Sequence, residues 1–285
     1  MFKIGATTLP LAGWVVNPRK PDEGRAQRLA AVRLLVEGYG LHAVELSLDL
    51  GAAYPQVFGN GFYRSVADLQ QEFGFVCTVH LPFLWVDLSS LNELIRQASV
   101  DCLRRCVELV QPVDVDTYVV HLWGFTTTQI SAQLQNPAQR RAILAGLVRQ
   151  GGRSLGALLE ALDPADVCVE NLEDSVFEFA WPLVEEMGTS ICLDVGHLAW
   201  QDGDPLGFLV KHGERVREVH LHDAVRAAAG RQAGARDHLA LGQGHVDYHA
   251  VLSKLEEIGY DGAVILELNT REALEESLEQ VRPFL

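Results

Sequence analysis

Residues 190–198 read SICLDVGHL: a short apolar run closed by Asp194, with His197 three positions further on. A run this short, rich in Ile, Leu and Val and followed at once by glycine, reads as a buried strand rather than a helix. The same construction recurs along the chain as FKIGAT (2–7), AVELSL (43–48), FVCTVH (75–80), TYVVHL (117–122), VCVEN (167–171), REVHLH (217–222) and AVILEL (263–268). With 190–195 that makes eight runs. They lack polar alternation, so they fit parallel strands covered on both faces.

The intervals carry helical spacing. In AQRLAAVRLLVEGYG, apolar residues recur at i, i+3 and i+4 before Gly38 and Gly40 end the segment. SVADLQQEFG, LNELIRQASVDCLRRCVELV, PAQRRAILAGLVRQGGRSLGALLEAL and YHAVLSKLEEIG behave alike. Eight strand–helix repeats predict a single (β/α)8 TIM barrel, an α/β fold occupying 1–285 as one domain. An open doubly wound sheet is the rival, but no Gly-rich nucleotide fingerprint follows the first run. Two irregular stretches, 50–62 and 224–245, fall after the second and seventh strands, on the face where barrel active sites sit.

The 285 residues are 48% hydrophobic and 21% charged, enough to bury a full core without staples. With Lys and Arg at 23 against Asp and Glu at 38, the net charge is −15, which disfavours nucleic acid and anionic membranes as partners. No apolar run reaches the roughly 18 residues of a membrane span. The start, MFKIGATTLPLAG, has no signal-peptide pattern, so a cytoplasmic protein is expected. Five cysteines, an odd number without C-x-x-C, argue for reduced thiols and against a structural disulfide. Cys168 and Cys192 precede Glu170 and Asp194 by two residues and are expected to pack one layer deeper. A homo-oligomer is compatible with all of this.

The chemistry gathers where the runs end: Glu45 in the second, then His80, His121, Glu170, Asp194, His220 and Glu267. In a barrel these converge on one mouth. Carboxylates and imidazoles without thiolate suit Zn, Mn, Co or Fe. One polar strand end is ordinary; seven, with Lys, Gln, Ser and Thr avoided, make a divalent-metal site. Asp194 and His197 form D-x-x-H, and His220 and His222 share a face by the two-residue period. His220 aligns in depth with the other ends and is the expected ligand, leaving His222 to orient it or the substrate.

The segments VHLP, VVHLWG, VENLED, LDVGH, VHLHDAVR, DHLALGQGHVDY and ILEL together resemble the xylose-isomerase-like barrel superfamily. That group holds sugar and sugar-phosphate isomerases and epimerases, and the endonuclease IV type of metal phosphodiesterase. In the epimerase branch, the resemblance implies one metal on Glu170, Asp194, His220 and Glu267, with Glu170 and Glu267 as acid–base groups. It implies substrate contacts from His197 and Arg226. In the endonuclease IV branch it implies a second metal on His80 and His121, and a third involving His197 and His238. There the Asp expected two residues before His238 is replaced by Arg236, and Asp237 is adjacent instead. QPVDVDTYVVHL and ICLDVGHL also look like a branch that cleaves the nucleotide-loop phosphodiester of corrinoids.

Two enzymatic readings follow. The first is a divalent-metal-dependent (Mn, Co or Zn) sugar or sugar-phosphate isomerase or epimerase, working by proton transfer through an enediolate and needing no organic cofactor. The second is a phosphodiesterase with two or more metals, for which a small or corrinoid-like phosphodiester suits the acidic chain better than abasic DNA. A non-enzymatic binding barrel is disfavoured by the paired glutamates. Trp85 and Trp123 each lie close behind a candidate His; Trp123 is placed against substrate, with packing as the alternative. Glu45 is expected either to touch substrate or to close a salt bridge. His42, His212 and His249 read as surface or helix-end residues, and His245 and Asp247 as caps for the following helix.

Overall fold

The structure is a computed structural model that describes residues 1–13, 16–124, 136–172, 177–225 and 236–285. Eight parallel strands close into a barrel: β1 (Lys3–Thr7), β2 (Ala43–Ser47), β3 (Val76–His80), β4 (Val115–Val120), β5 (Val167–Glu170), β6 (Ser190–Asp194), β7 (Val216–Leu221) and β10 (Ala263–Leu266). The (β/α)8 architecture read from the sequence is therefore observed. The two strands numbered between them, β8 (Asp223–Val225) and β9 (Arg236–Leu239), pair antiparallel as a separate two-stranded sheet, with 226–235 outside the described residues. That corrects the reading of 224–245 as irregular throughout. Likewise 50–62 is not all loop: Asp49–Ala53 is a helical turn, and a longer helix starts at Asn60.

Helices pack around the barrel because each carries an apolar stripe, as in Glu93–Val110, where Val100, Leu103, Cys106, Val107 and Val110 are buried. The helix at Pro21–Arg33 (α1 hereafter) lies between β1 and β2 in sequence and buries Arg28, Ala31 and Val32. Caps follow the expected chemistry: Asn92, Asn136, Asp204, Asp247 and Thr270 each accept a first-turn amide. All five cysteines are free, and Val119, Cys168 and Cys192 form a buried interior layer. Among the described residues no helix is long and apolar enough to cross a membrane.

Two strand ends shift by one residue. β4 stops at Val120 and β10 at Leu266, so His121 and Glu267 are the first residues beyond their strands. His212 ends its helix but is buried, packed on Trp181 with ring centroids 4.3 Å apart, rather than lying at the surface.

Candidate metal centre

Glu170 closes β5, Asp194 closes β6, His220 lies near the end of β7, and Glu267 follows β10. Their ligand atoms meet. His220 Nδ1 is 3.2 Å from Glu170 Oε1, 3.0 Å from Glu267 Oε2 and 3.9 Å from Asp194 Oδ2. Four donors set tetrahedrally about 2.1 Å from an ion stand about 3.4 Å from one another, and these separations bracket that value. Glu267 Oε2 is buried and makes no hydrogen bond despite its nearness to His220. It faces a shared point instead of pairing with the imidazole. Three carboxylates and one nitrogen lie within 4.8 Å of one another, a donor set for a divalent cation.

Local sequence explains how each ligand is aimed. Asp194 is an N-cap: its Oδ1 accepts the His197 amide at 2.6 Å, which leaves Oδ2 turned into the site. D-x-x-H is thus a cap as well as a pair of functional groups. Asn171 clamps the same strand end, donating to the Asp194 carbonyl at 2.8 Å and accepting its amide at 2.9 Å. Gly196 must be glycine, since a Cβ there would sit 2.0 Å from His222 Cε1.

Behind the cluster, His220 Nε2 meets Glu45 Oε2 at 3.1 Å. Glu45 is wholly buried, and burial pushes its carboxyl up to about 7 against the pull of His220. Glu218 sits beside it, with Oε1 3.8 Å from His220 Nε2 and Oε2 accepting the Thr117 hydroxyl. Of the two expectations for Glu45, the structure shows the ion-pair contact, below the mouth.

His80 and His121 converge on the other oxygen of Glu170. Their Nε2 atoms lie 3.2 and 2.7 Å from Oε2. Burial would push Glu170 up, but His121 and His220 hold it well below the usual carboxylate range. Burial opposes a charge on His80, yet its contact with Glu170 raises it to about 10. His80 Nδ1 lies 2.9 Å from the Leu81 carbonyl and donates to it, which directs Nε2 at Glu170. His121 joins none of the compact ligand groupings that the described residues form, whereas His80 groups with Glu170 and His220.

A further trio, His197, His222 and His238, lines the opposite side. His222 is fully committed: its Nδ1 accepts the His238 amide at 2.9 Å, and its Nε2 therefore donates to Asp194 Oδ2 at 3.1 Å. His238, at φ +50°, stacks on His222 with centroids 4.2 Å apart. Asp237 Oδ1 holds His238 Nδ1 at 3.2 Å, so the adjacent carboxylate does reach this imidazole. His197 Nδ1 lies 3.6 Å from Asp194 Oδ2 and 3.7 Å from Glu170 Oε1. Glu267, His121 and His238, with side chains 14%, 15% and 20% exposed, are the partly exposed members of the site.

Arg226 lies outside the described residues. Trp123 is buried at 7% exposure in the main core, against Gly151, as the packing alternative expects. Trp85 is 80% exposed. Sequence reasoning missed Asn171, Glu218 and Asp223. Asp223 accepts four amides, from Ala224, Gly242, Gly244 and Val246, and so folds the L-G-x-G turn back onto β7. The pairing of H-x-H-D with L-G-x-G was the available signal.

The molecule is thus a closed β/α barrel with a carboxylate–histidine centre at the carboxyl ends of its strands, where such barrels place their active sites. Residues 34–284 match the xylose isomerase-like TIM barrel family, and the chain belongs to it. Protein MJ1311 of Methanocaldococcus jannaschii is 27% identical over 234 residues, covering 76% of this chain and 75% of its own. Inosose dehydratase of Lacticaseibacillus casei is 28% identical over 90 residues, 27% of this chain and 30% of its own. Among solved structures, a D-tagatose 3-epimerase-like protein superposes with TM-score 0.75 at 20% identity, covering 99% of this chain and 97% of that one. An AP endonuclease family 2 protein from Brucella melitensis gives 0.69 at 18% identity, over 100% and 99%. At these identities the structural likeness is one of fold.

Proposed function

We propose that this chain is a single-domain (1–285) cytoplasmic enzyme, a divalent-metal-dependent isomerase or epimerase of a small sugar or sugar phosphate. The observation that carries this reading is the gathering of Glu170, Asp194, His220 and Glu267 around one point, with both glutamates in reach of it. When bound, a divalent ion would polarise a substrate carbonyl and acidify the neighbouring C–H.

The two glutamates are unequal. Glu170 is fastened through Oε1 to His220 and through Oε2 to His80 and His121. Glu267 is held by fewer contacts: its Oε2 lies 3.0 Å from His220 Nδ1 and makes no hydrogen bond. Glu267 is therefore the better group to take a proton from carbon, and Glu170 the better fixed anion and partner in its return. His197, His238 and Arg226 are assigned to substrate oxygens or a phosphate, for which a guanidinium fork is suited.

A second reading, a two-metal phosphodiesterase acting on a small or corrinoid-like diester, is favoured by one feature. With Nδ1 donating to Leu81, His80 Nε2 is directed at a carboxylate oxygen, the arrangement of a ligating histidine. Metal counting on protein purified without chelator, with the double change His80→Ala, His121→Ala, decides between the two. The isomerase reading expects one ion per chain in both proteins, and solvent deuterium exchange into a ketose or ketose phosphate that persists in the double variant. Two ions per chain, no exchange into any sugar, and cleavage of bis-p-nitrophenyl phosphate that collapses in the variant would replace it with the hydrolase.

A further inference from the structure

Arg28, on α1, is buried at 6% exposure. Its Nη2 donates to the Gly13 carbonyl at 2.6 Å, and its guanidinium lies 5.0 Å from the centre of the Phe58 ring. Nη1 is buried without a hydrogen-bond partner, and among the described residues no carboxylate acts on Arg28. A desolvated guanidinium lacking a counter-ion is costly. Such a charge is kept where something else neutralises it.

Arg28 lines a small cavity of about 20 Å3 that opens to solvent. Thr8 and Leu9, just past β1, and Ser47, the last residue of β2, line it too, so it sits at the rim of the barrel mouth. The Ser47 hydroxyl is a second buried polar group without a partner. The rest of the lining is mainly apolar, with Leu48, Phe58 and Phe62 among it. Two unsatisfied donors therefore share one space that supplies them no anionic acceptor, in surroundings that strengthen any charge pairing formed there. None of the cavity's lining residues belongs to the metal cluster.

The geometry points to an anion pocket at the β1–β2 rim, in which Arg28 Nη1 and Ser47 Oγ hold the carboxylate or phosphate group of a small molecule. An Arg fork suits both groups, since either presents paired oxygens. The pocket does not depend on the chemistry assigned to the metal centre.

The test is calorimetric and thermal titration of the intact protein with inorganic phosphate and, separately, acetate, each against sodium chloride at equal ionic strength. The wild type should bind one or both and melt higher in their presence. Arg28→Met should weaken binding at least tenfold with an unchanged circular dichroism spectrum. Asp194→Asn, altered only at the metal centre, should retain the anion response. Phosphate alone binding assigns a phosphate group, and acetate alone a carboxylate. If neither anion exceeds chloride, or the response survives in Arg28→Met, the pocket holds water only and the proposal falls. Should Arg28→Met fail to fold, Arg28→Lys serves: it keeps the charge without the fork and should bind about tenfold more weakly, and unchanged affinity would overturn the assignment.

Discussion

Glu45 Oε2 and His220 Nε2 lie 3.1 Å apart inside the barrel, on the side of the imidazole turned away from Glu170 and Glu267. His220 thereby donates its Nε2 proton to one carboxylate, so that Nδ1, once it gives up its own proton, offers its lone pair at the point the others share. A carboxylate that holds the far nitrogen of a ligating histidine fixes its tautomer and raises its basicity. Glu45→Gln keeps the shape and removes the charge. Metal titration of this variant should show an affinity about 10–100-fold lower, with the fold intact. Unchanged affinity would remove His220 Nδ1 from the ligand set.

Asp194 serves two ends at once, and substitutions separate them. Asn is as good an N-cap as Asp, so Asp194→Asn should keep helix Val195–Trp200 while binding metal at least tenfold less tightly. Asp194→Ala should lose the metal and, in addition, about 1 kcal/mol of cap stability. Denaturant melts in the presence of chelator read the second effect alone. Should Asp194→Ala bind metal as wild type does, the centre is wrongly assigned.

Gly196→Ala would drive a methyl group into the His222 ring, 2.0 Å from Cε1. The expected loss is about 1–3 kcal/mol, the range for overpacking a close-packed site. Because His222 Nε2 holds Asp194 Oδ2, metal affinity should fall as well. A fully stable variant with wild-type affinity would show that the loop yields freely.

Metal binding should strengthen with pH. Burial opposes a proton on His220, but the anionic groups around it, Glu45, Glu170 and Glu267 among them, raise its pKa well above the usual histidine value. The metal-free protein therefore carries a proton on His220 that binding must displace, and affinity falls as pH falls. One displaced proton corresponds to about one log unit of affinity per pH unit while His220 stays protonated in the metal-free form. Calorimetry in buffers of different ionisation heat, between about pH 6 and pH 8, should detect proton release. Binding that takes up no heat of buffer protonation would contradict this.

Removing Asp223 should be severe. Asp223→Ala strips the acceptor from four amides at once, and the two buried ones, of Ala224 and Val246, would each cost about 1–3 kcal/mol if left unpaired. Hydrogen exchange should speed up at Gly242, Gly244 and Val246 before it does in the barrel strands. Equal protection in the variant would show that the turn holds without its carboxylate.

The eight-strand barrel was legible in the sequence because short apolar runs without alternation, spaced by helical segments, permit few other arrangements. Glu170, Asp194, His220 and Glu267 were legible for a related reason: an ionisable side chain that ends a buried strand has only the mouth to face. Strand register and loop form were not. Whether His121 and Glu267 fall inside or just beyond their strands depends on pairing with neighbours, and the pairing of Asp223–Val225 with Arg236–Leu239 depends on contacts between separate segments.

Sequence by itself determined the element types and the set of residues at the mouth, since both follow from local periodicity. Only the tertiary structure decided how those residues divide their atoms. It turned Glu170 Oε1 to His220 and Oε2 to His80 and His121, committed both nitrogens of His222, set Glu45 behind His220, and buried Trp123. The reason is physical: which oxygen or nitrogen faces which partner is fixed by angles between chains distant in sequence, and no local pattern carries that information.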